Sequence, residues 1–115
     1  MFIVEYNSQF PPPIEFQIEY DPSHIWMGDN YFGASLSSFV KLFARHGFSL
    51  VCCNAHTGAN AFFVRNEYRD RFNDIPHDIN QLVYGPRYER YKHLGHRQSP
   101  KTIERMLLDN EKKSP

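Results

Sequence analysis

One continuous stretch, Gly33 to Arg65, constrains the fold more than any other: GASLSSFVKLFARHG, then FSLVCC, NAHTGAN and AFFVR. In its first part Leu36, Phe39, Val40 and Phe43 recur at the spacing that places them on one face of an α-helix. Ser37, Lys41 and Arg45 fall away from that face. Gly33 or Ser35 can cap the start. Gly47 suits a left-handed stop, with Arg45 and His46 near the negative helix end. Burying the four apolar side chains stabilises the fold by roughly 6–12 kcal/mol before conformational entropy is subtracted. Phe48–Cys53 is apolar on both faces apart from Ser49, which predicts an interior strand. Ala61–Val64 reads the same way, and the turn formers between the two runs predict a hairpin. A core-building helix followed by a hairpin is an α/β signature.

Upstream, Phe2–Tyr6 is a short β-type run ended by Asn7-Ser8. The three prolines at 11–13 predict an extended connector, because proline fixes φ and removes the amide donor. Ile14, Phe16, Ile18 and Tyr20 then alternate with Glu15, Gln17 and Glu19, the period of a strand with one wet face. Asp21-Pro22 ends it, and 22–31 reads as a loop. Downstream, 66–98 is polar and irregular. Ser99-Pro100 resembles an N-cap followed by proline at the first helical position. Ile103, Met106 and Leu107 supply an apolar stripe to a short helix near 100–110.

Composition narrows the class. A chain of 115 residues is one domain with room for a core, and its formal net charge is zero. The overall balance predicts neither a nucleic-acid nor a membrane partner. No apolar run approaches the roughly 18–20 residues that span a bilayer. The opening MFIVEYN has no basic segment leading into an apolar one, so no secretory signal is read, and a cytoplasmic location is expected. Two cysteines give no disulfide framework.

FIVEYN, DPSHIW, YFGASLSSFVKLFARHGFSLVCCN and NAFFVRNEY, in this order, resemble the C-terminal part of FkbM-type S-adenosylmethionine-dependent methyltransferase domains. The resemblance covers residues 1–68 and leaves 69–115 as a polar, basic-aromatic tail. It implies a partial Rossmann-like sheet in which Phe2–Tyr6 is the fifth strand and the 35–46 helix is the crossover. Phe48–Cys53 and Ala61–Arg65 are then the last two strands, the final one antiparallel and inserted between its neighbours. S-adenosylmethionine is the cofactor implied for the complete domain, and a small molecule or sugar hydroxyl is the implied substrate.

The part of such a domain that holds the cofactor is not in this sequence. No Gly-x-Gly turn follows a strand, and no strand-end acid sits about 20 residues beyond one. The Asp-x-Glu-Gly-type segment that precedes the matched strand in that family is also absent. The expected function is therefore that of a C-terminal portion, inactive and without cofactor by itself. Its expected partners are the missing N-terminal half or a second copy, since a truncated sheet leaves an edge and an apolar face uncovered.

Several side chains carry candidate chemistry. Glu5, Tyr6 and Asn7 end a strand, where open α/β sheets bind ligands, and are the substrate-side candidates. Against this, Glu5 can bond a loop amide and Asn7 can make a turn. No catalytic residue is assigned. Cys52 and Cys53 are adjacent, so on a strand they face opposite ways and cannot readily share one metal. The spacing to His56 is not that of a zinc site. They read as packing. His93 and His96 lack a carboxylate at matching spacing, so no metal site is expected. His56, Thr57, Gly58 and Asn60 form the hairpin tip and read as turn formers. Across 84–105, Arg87, Arg90, Lys92, Arg97, Lys101 and Arg105 exceed Glu89 and Glu104 by four charges. Tyr84, Tyr88 and Tyr91 are interleaved. Basic and aromatic residues together can serve nucleic acid, but no binding motif accompanies them, and a solvated tail is the simpler reading.

Overall fold

The computed structural model describes residues 1–56, 58–85 and 97–113, with 109–113 described through their backbone. Strand β1 is Phe2–Glu5 and helix α1 is Leu36–Arg45. Strands β2 and β3 are Phe48–Cys53 and Asn60–Arg65. A 3₁₀ segment follows at Asn66–Phe72, then a single helical turn, α2, at Ile79–Leu82, and helix α3 at Pro100–Lys113. The sheet order is β1-β3-β2, with β3 antiparallel to both neighbours, so β1 and β2 run parallel to each other. The fold is a small α/β arrangement.

The helix forms as its periodicity predicts. Ser35 is the N-cap, and its hydroxyl accepts from the Ser38 amide. Gly47, at φ 82°, makes the left-handed exit that other residues resist. Leu36 is fully buried, and Phe39, Val40 and Phe43 pack on the sheet core of Tyr6, Leu50, Cys53, Ala61 and Phe63. Phe43 stacks on Phe63 with ring centroids 4.2 Å apart. Ser37, predicted to lie away from the apolar face, is buried as well. The Phe16 segment crosses the first turn of α1 and bonds Ser35 and Ser38, so this turn has little wet surface.

The extended strand predicted over 14–20 does not form. Its backbone joins no ladder beyond one bridge, Gln17 to Ala34. Phe16 N–H is instead bonded by the Ser35 and Ser38 hydroxyls, and Ile18 N–H by Gly33 O. The alternation survives without the strand. Phe16 is buried, Ile14 and Ile18 are half-buried, and Gln17 and Glu19 are exposed. Tyr20, at 89 % exposure, and Glu15, half-buried like Ile14, break the pattern. Period two therefore reports a chain lying between core and solvent, whatever takes its hydrogen bonds. The proline connector is also not extended: Pro12-Pro13 is cis, and Ile14 N–H closes a turn onto Pro11 O.

A second core forms from Phe10, Phe16 and Tyr31, with Ile14, Ile18 and Met106 against it. The residues predicted to be irregular after β3 contain the 3₁₀ segment and α2; α2 supplies Ile79 and Leu82 to the sheet core, and the flanking Ile75 and Val83 join them. The last helix begins at Pro100 as capping predicts, but at 14 residues it is longer than its apolar stripe suggests. No helix among the described residues is long and apolar enough to cross a membrane.

Candidate functional site

Because β1 and β2 are parallel, their carboxyl ends lie at the same edge of the sheet, which brings Glu5–Asn7 and Cys53–Asn54 to one end. The three substrate-side candidates differ sharply there. Glu5 is exposed. Tyr6 is buried, and its hydroxyl donates to Tyr84 O at 2.7 Å. Asn7 is 1 % exposed and its side chain is committed to its own chain. Its Nδ2 donates to Asn30 O and Phe32 O at 3.1 Å each, and its Oδ1 accepts from Gln9 N–H. Asn7 thus makes a turn and pins the 30–32 loop, while Glu5 alone of the three presents its polar group to solvent.

The Cys53 thiol lies against the Tyr6 phenol. Burial pushes it up to about 11, beyond the ordinary thiol range. Burial also pushes the Tyr6 hydroxyl well above its ordinary value, with the neighbouring Cys53 adding to the shift. Both are therefore neutral at physiological pH, and Cys53 is not an activated nucleophile. Cys52 is exposed. Its thiol donates to Cys53 O at 3.4 Å. An open groove of about 470 Å³ runs past these residues, lined by Val51, Phe62, Leu82 and Tyr84 among others. Its described lining is mostly apolar and includes no charged side chain.

Among the described residues no group of three His, Cys, Asp or Glu side chains is placed to hold a metal ion. His93 and His96 lie outside the described residues, as do Arg87, Arg90, Lys92, Tyr88 and Tyr91. The described cations of that basic segment turn onto the chain itself. Arg97 donates to Met27 O, Arg105 donates to Gln17 O, and Lys101 sits 5.7 Å from the Tyr31 ring centroid. At the hairpin tip Asn54 Oδ1 accepts from His56 N–H, and Gly58, at φ 66°, donates to Asn54 O; Thr57 lies outside the described residues.

Two buried polar centres escape sequence reasoning. Asn30 Oδ1 accepts from both Ser99 N–H and Thr102 Oγ1, which ties α3 to the 30–32 loop. Arg69 is buried, and its guanidinium donates to Phe72 O, Ile75 O and Pro76 O. Neither belongs to a motif, because the partners are backbone groups or residues 69 and 72 positions away.

The carboxyl end of β1 leads into Tyr6 and Asn7, whose side chains bond Tyr84 and the 30–32 loop, and Asn7 N–H is closed by Ala34 O. There the amides of Tyr6, Asn7, Gln9 and Phe10 are bonded to the chain's own groups. The class that fold and site define is a small α/β unit with a three-stranded sheet and a polar-capped strand end. Comparisons with protein-family models, curated proteins and solved structures gave no match.

Proposed function

We propose that this chain is the C-terminal portion of a methyltransferase-like α/β domain and does not bind cofactor or methylate by itself. The supporting observation is the strand order β1-β3-β2, in which the last strand runs antiparallel between two parallel neighbours joined through α1. That is the arrangement expected at the closing end of a Rossmann-like methyltransferase sheet. Residues 1–68 supply the closing end, and the cofactor-binding strands belong to a separate segment or chain. In the completed protein S-adenosylmethionine supplies the methyl group and a small-molecule or sugar hydroxyl receives it. Glu5, exposed at the strand end, is the side chain best placed to meet a substrate.

The test is to read the coding region upstream. An in-frame or adjacent segment encoding a strand, a glycine-rich turn and a strand-end acid supports the proposal. Coding sequence with no such segment nearby counts against it.

A second reading is a non-enzymatic module that pairs with a separate half or with itself. It is favoured by the exposure of Met1, Phe2 and Ile3, at 77, 52 and 57 %, along the outer strand. A nucleic-acid role draws no support from Arg97, Lys101 and Arg105, which contact their own chain.

A further inference from the structure

Arg69 is a buried cation with no anion against it among the described residues. It is 8 % exposed, and its guanidinium donates from Nη1 to Phe72 O and from Nη2 to Ile75 O and Pro76 O. These carbonyls solvate the cation but leave its charge whole. The ion pairs among the described residues join Lys41 to Glu15 and Arg65 to Glu67, so Arg69 has no carboxylate partner there. Glu67, Asp70 and Asp74, the acids nearest in sequence, are exposed. A guanidinium has N–H donors beyond those used here. The Nε–H bonds no described group, and it is not sealed in the core, because no fully buried side-chain nitrogen among the described residues lacks a partner. A buried charge is costly unless an opposite charge meets it.

Arg69 also lines a cleft of about 180 Å³. Val40 and Ala44 of α1 and Phe48 and Leu50 of β2 give it apolar walls. His77 joins the lining with an imidazole that offers an N–H donor in either protonation state. Ser49, on the same lining, gives its hydroxyl to Asn66 Oδ1. Ala44 and His77 are exposed while Leu50 and Arg69 are buried, so the cleft runs inward from the surface. It sits at the amino end of β2, the sheet end opposite to Glu5–Asn7. The sheet order also puts β2 at the edge away from β1, so strands added beside β1 leave the cleft open.

We propose that this cleft binds a small monocarboxylate with an apolar body, its carboxylate against Arg69 and His77 and its body against Val40, Phe48 and Leu50. Each part of the lining selects part of that ligand. The uncompensated guanidinium calls for an anion, and charge-assisted bonds to carboxylates are among the strongest that arginine forms. One guanidinium offsets one negative charge, which favours a monoanion over a dianion. The apolar walls call for hydrocarbon beside the anion, which inorganic phosphate does not supply. The volume sets the size. A cavity of about 150 Å³ takes a benzene ring, so this cleft takes one ring or a branched chain of similar bulk. The site is built by α1, β2, the 3₁₀ segment and His77, and it is independent of the methyltransferase reading.

Amide chemical shifts of the full chain, followed by NMR during titration with sodium benzoate at constant ionic strength, test the site. Saturable movement is expected at 40–50, 69 and 77, with a Kd on the order of 1 mM. Benzamide has the same shape without the charge and is expected to bind about tenfold or more weakly, as is inorganic phosphate, which lacks the apolar body. Arg69→Met removes the cation and is expected to abolish the shifts. Ala44→Phe fills the cleft from the exposed face of α1 and leaves the Arg69 contacts in place. It is also expected to abolish them, and it decides the matter where the Arg69 variant fails to fold. No saturable shift with benzoate overturns the proposal, as do shifts confined to residues away from the cleft. So does equal binding of benzamide, tighter binding of phosphate, or benzoate binding that survives either substitution.

Discussion

Leu50 and Cys53 lie three residues apart in one strand and yet face the same side of the sheet. Leu50 pairs with Phe63 and Cys53 with Ala61, and both join the core beneath α1. Strict alternation would have placed Cys52 there instead. The ladder slips by one residue between Leu50 and Cys52, so Val51 is the extra residue of a β-bulge and the parity after it is reversed. This bulge decides which of two adjacent thiols reacts. In the native protein one cysteine, Cys52, is expected to be alkylated rapidly by iodoacetamide, with Cys53 modified only on unfolding. Mass spectrometry of a timed reaction reads this directly, and two equally fast sites would contradict the register.

The buried Cys53 also makes stability depend on alkaline pH. Its folded value is raised to about 11 by burial, above the ordinary value of 9.0 that an unfolded chain shows. A raised thiol value means that the unfolded state loses its proton first. Stability is therefore fully present below pH 9 and is lost as pH rises toward 11. Tyr6, raised in the same sense, extends the loss to higher pH. Urea midpoints measured from pH 7 to 11 are expected to be level and then fall. Cys53→Ala should flatten the part of the fall between pH 9 and 11.

Phe43 and Phe63 hold the helix on the sheet. Their rings are 15° from parallel, and Phe63 is fully buried. Phe63→Ala is expected to cost about 3–5 kcal/mol in urea unfolding, through lost burial and the cavity left behind. Phe43→Ala should cost less, because Phe43 is only half-buried. A double-mutant cycle is expected to show coupling of about 0.5–1.5 kcal/mol, the range for aromatic pairs.

Asn30 is the anchor of α3. Its Oδ1 takes a hydrogen bond from Ser99 N–H at 2.9 Å and from Thr102 Oγ1 at 2.8 Å, and Ser99 and Thr102 are buried. Asn30→Ala leaves two buried donors without their acceptor and is expected to cost about 1–3 kcal/mol. The loss should be local. Hydrogen exchange at 100–108 should accelerate while the β3 amides keep their protection. Equal acceleration in both places would show that α3 and the sheet unfold as one unit.

The elements legible in the sequence are those whose signal is local. The i, i+3, i+4, i+7 spacing in α1, the left-handed exit at Gly47 and the turn formers at 54–60 each depend on neighbours within a few residues. The segment at 14–20 shows the limit of such reasoning. Its alternation is largely real, but the Phe16 amide bonds serine hydroxyls 19 and 22 residues away, and no local pattern announces that. The bulge at Val51 is equally silent, since any apolar residue there reads as strand. At the candidate site, the sequence identifies the strand end but not that Tyr6 and Asn7 are turned to structural work. Their partners, Tyr84 and the 30–32 loop, are brought near by packing alone.

The methyltransferase reading meets its most direct test in titration calorimetry of the pure, folded chain with S-adenosylmethionine. The strand end closed by Tyr6, Asn7 and Ala34 predicts no saturable heat for this chain alone. It also predicts saturable binding once the strands that carry the glycine-rich turn and its acid are supplied. Stoichiometric binding by the isolated chain would contradict the proposed division of the domain, because it would require a cofactor seat within residues 1–115.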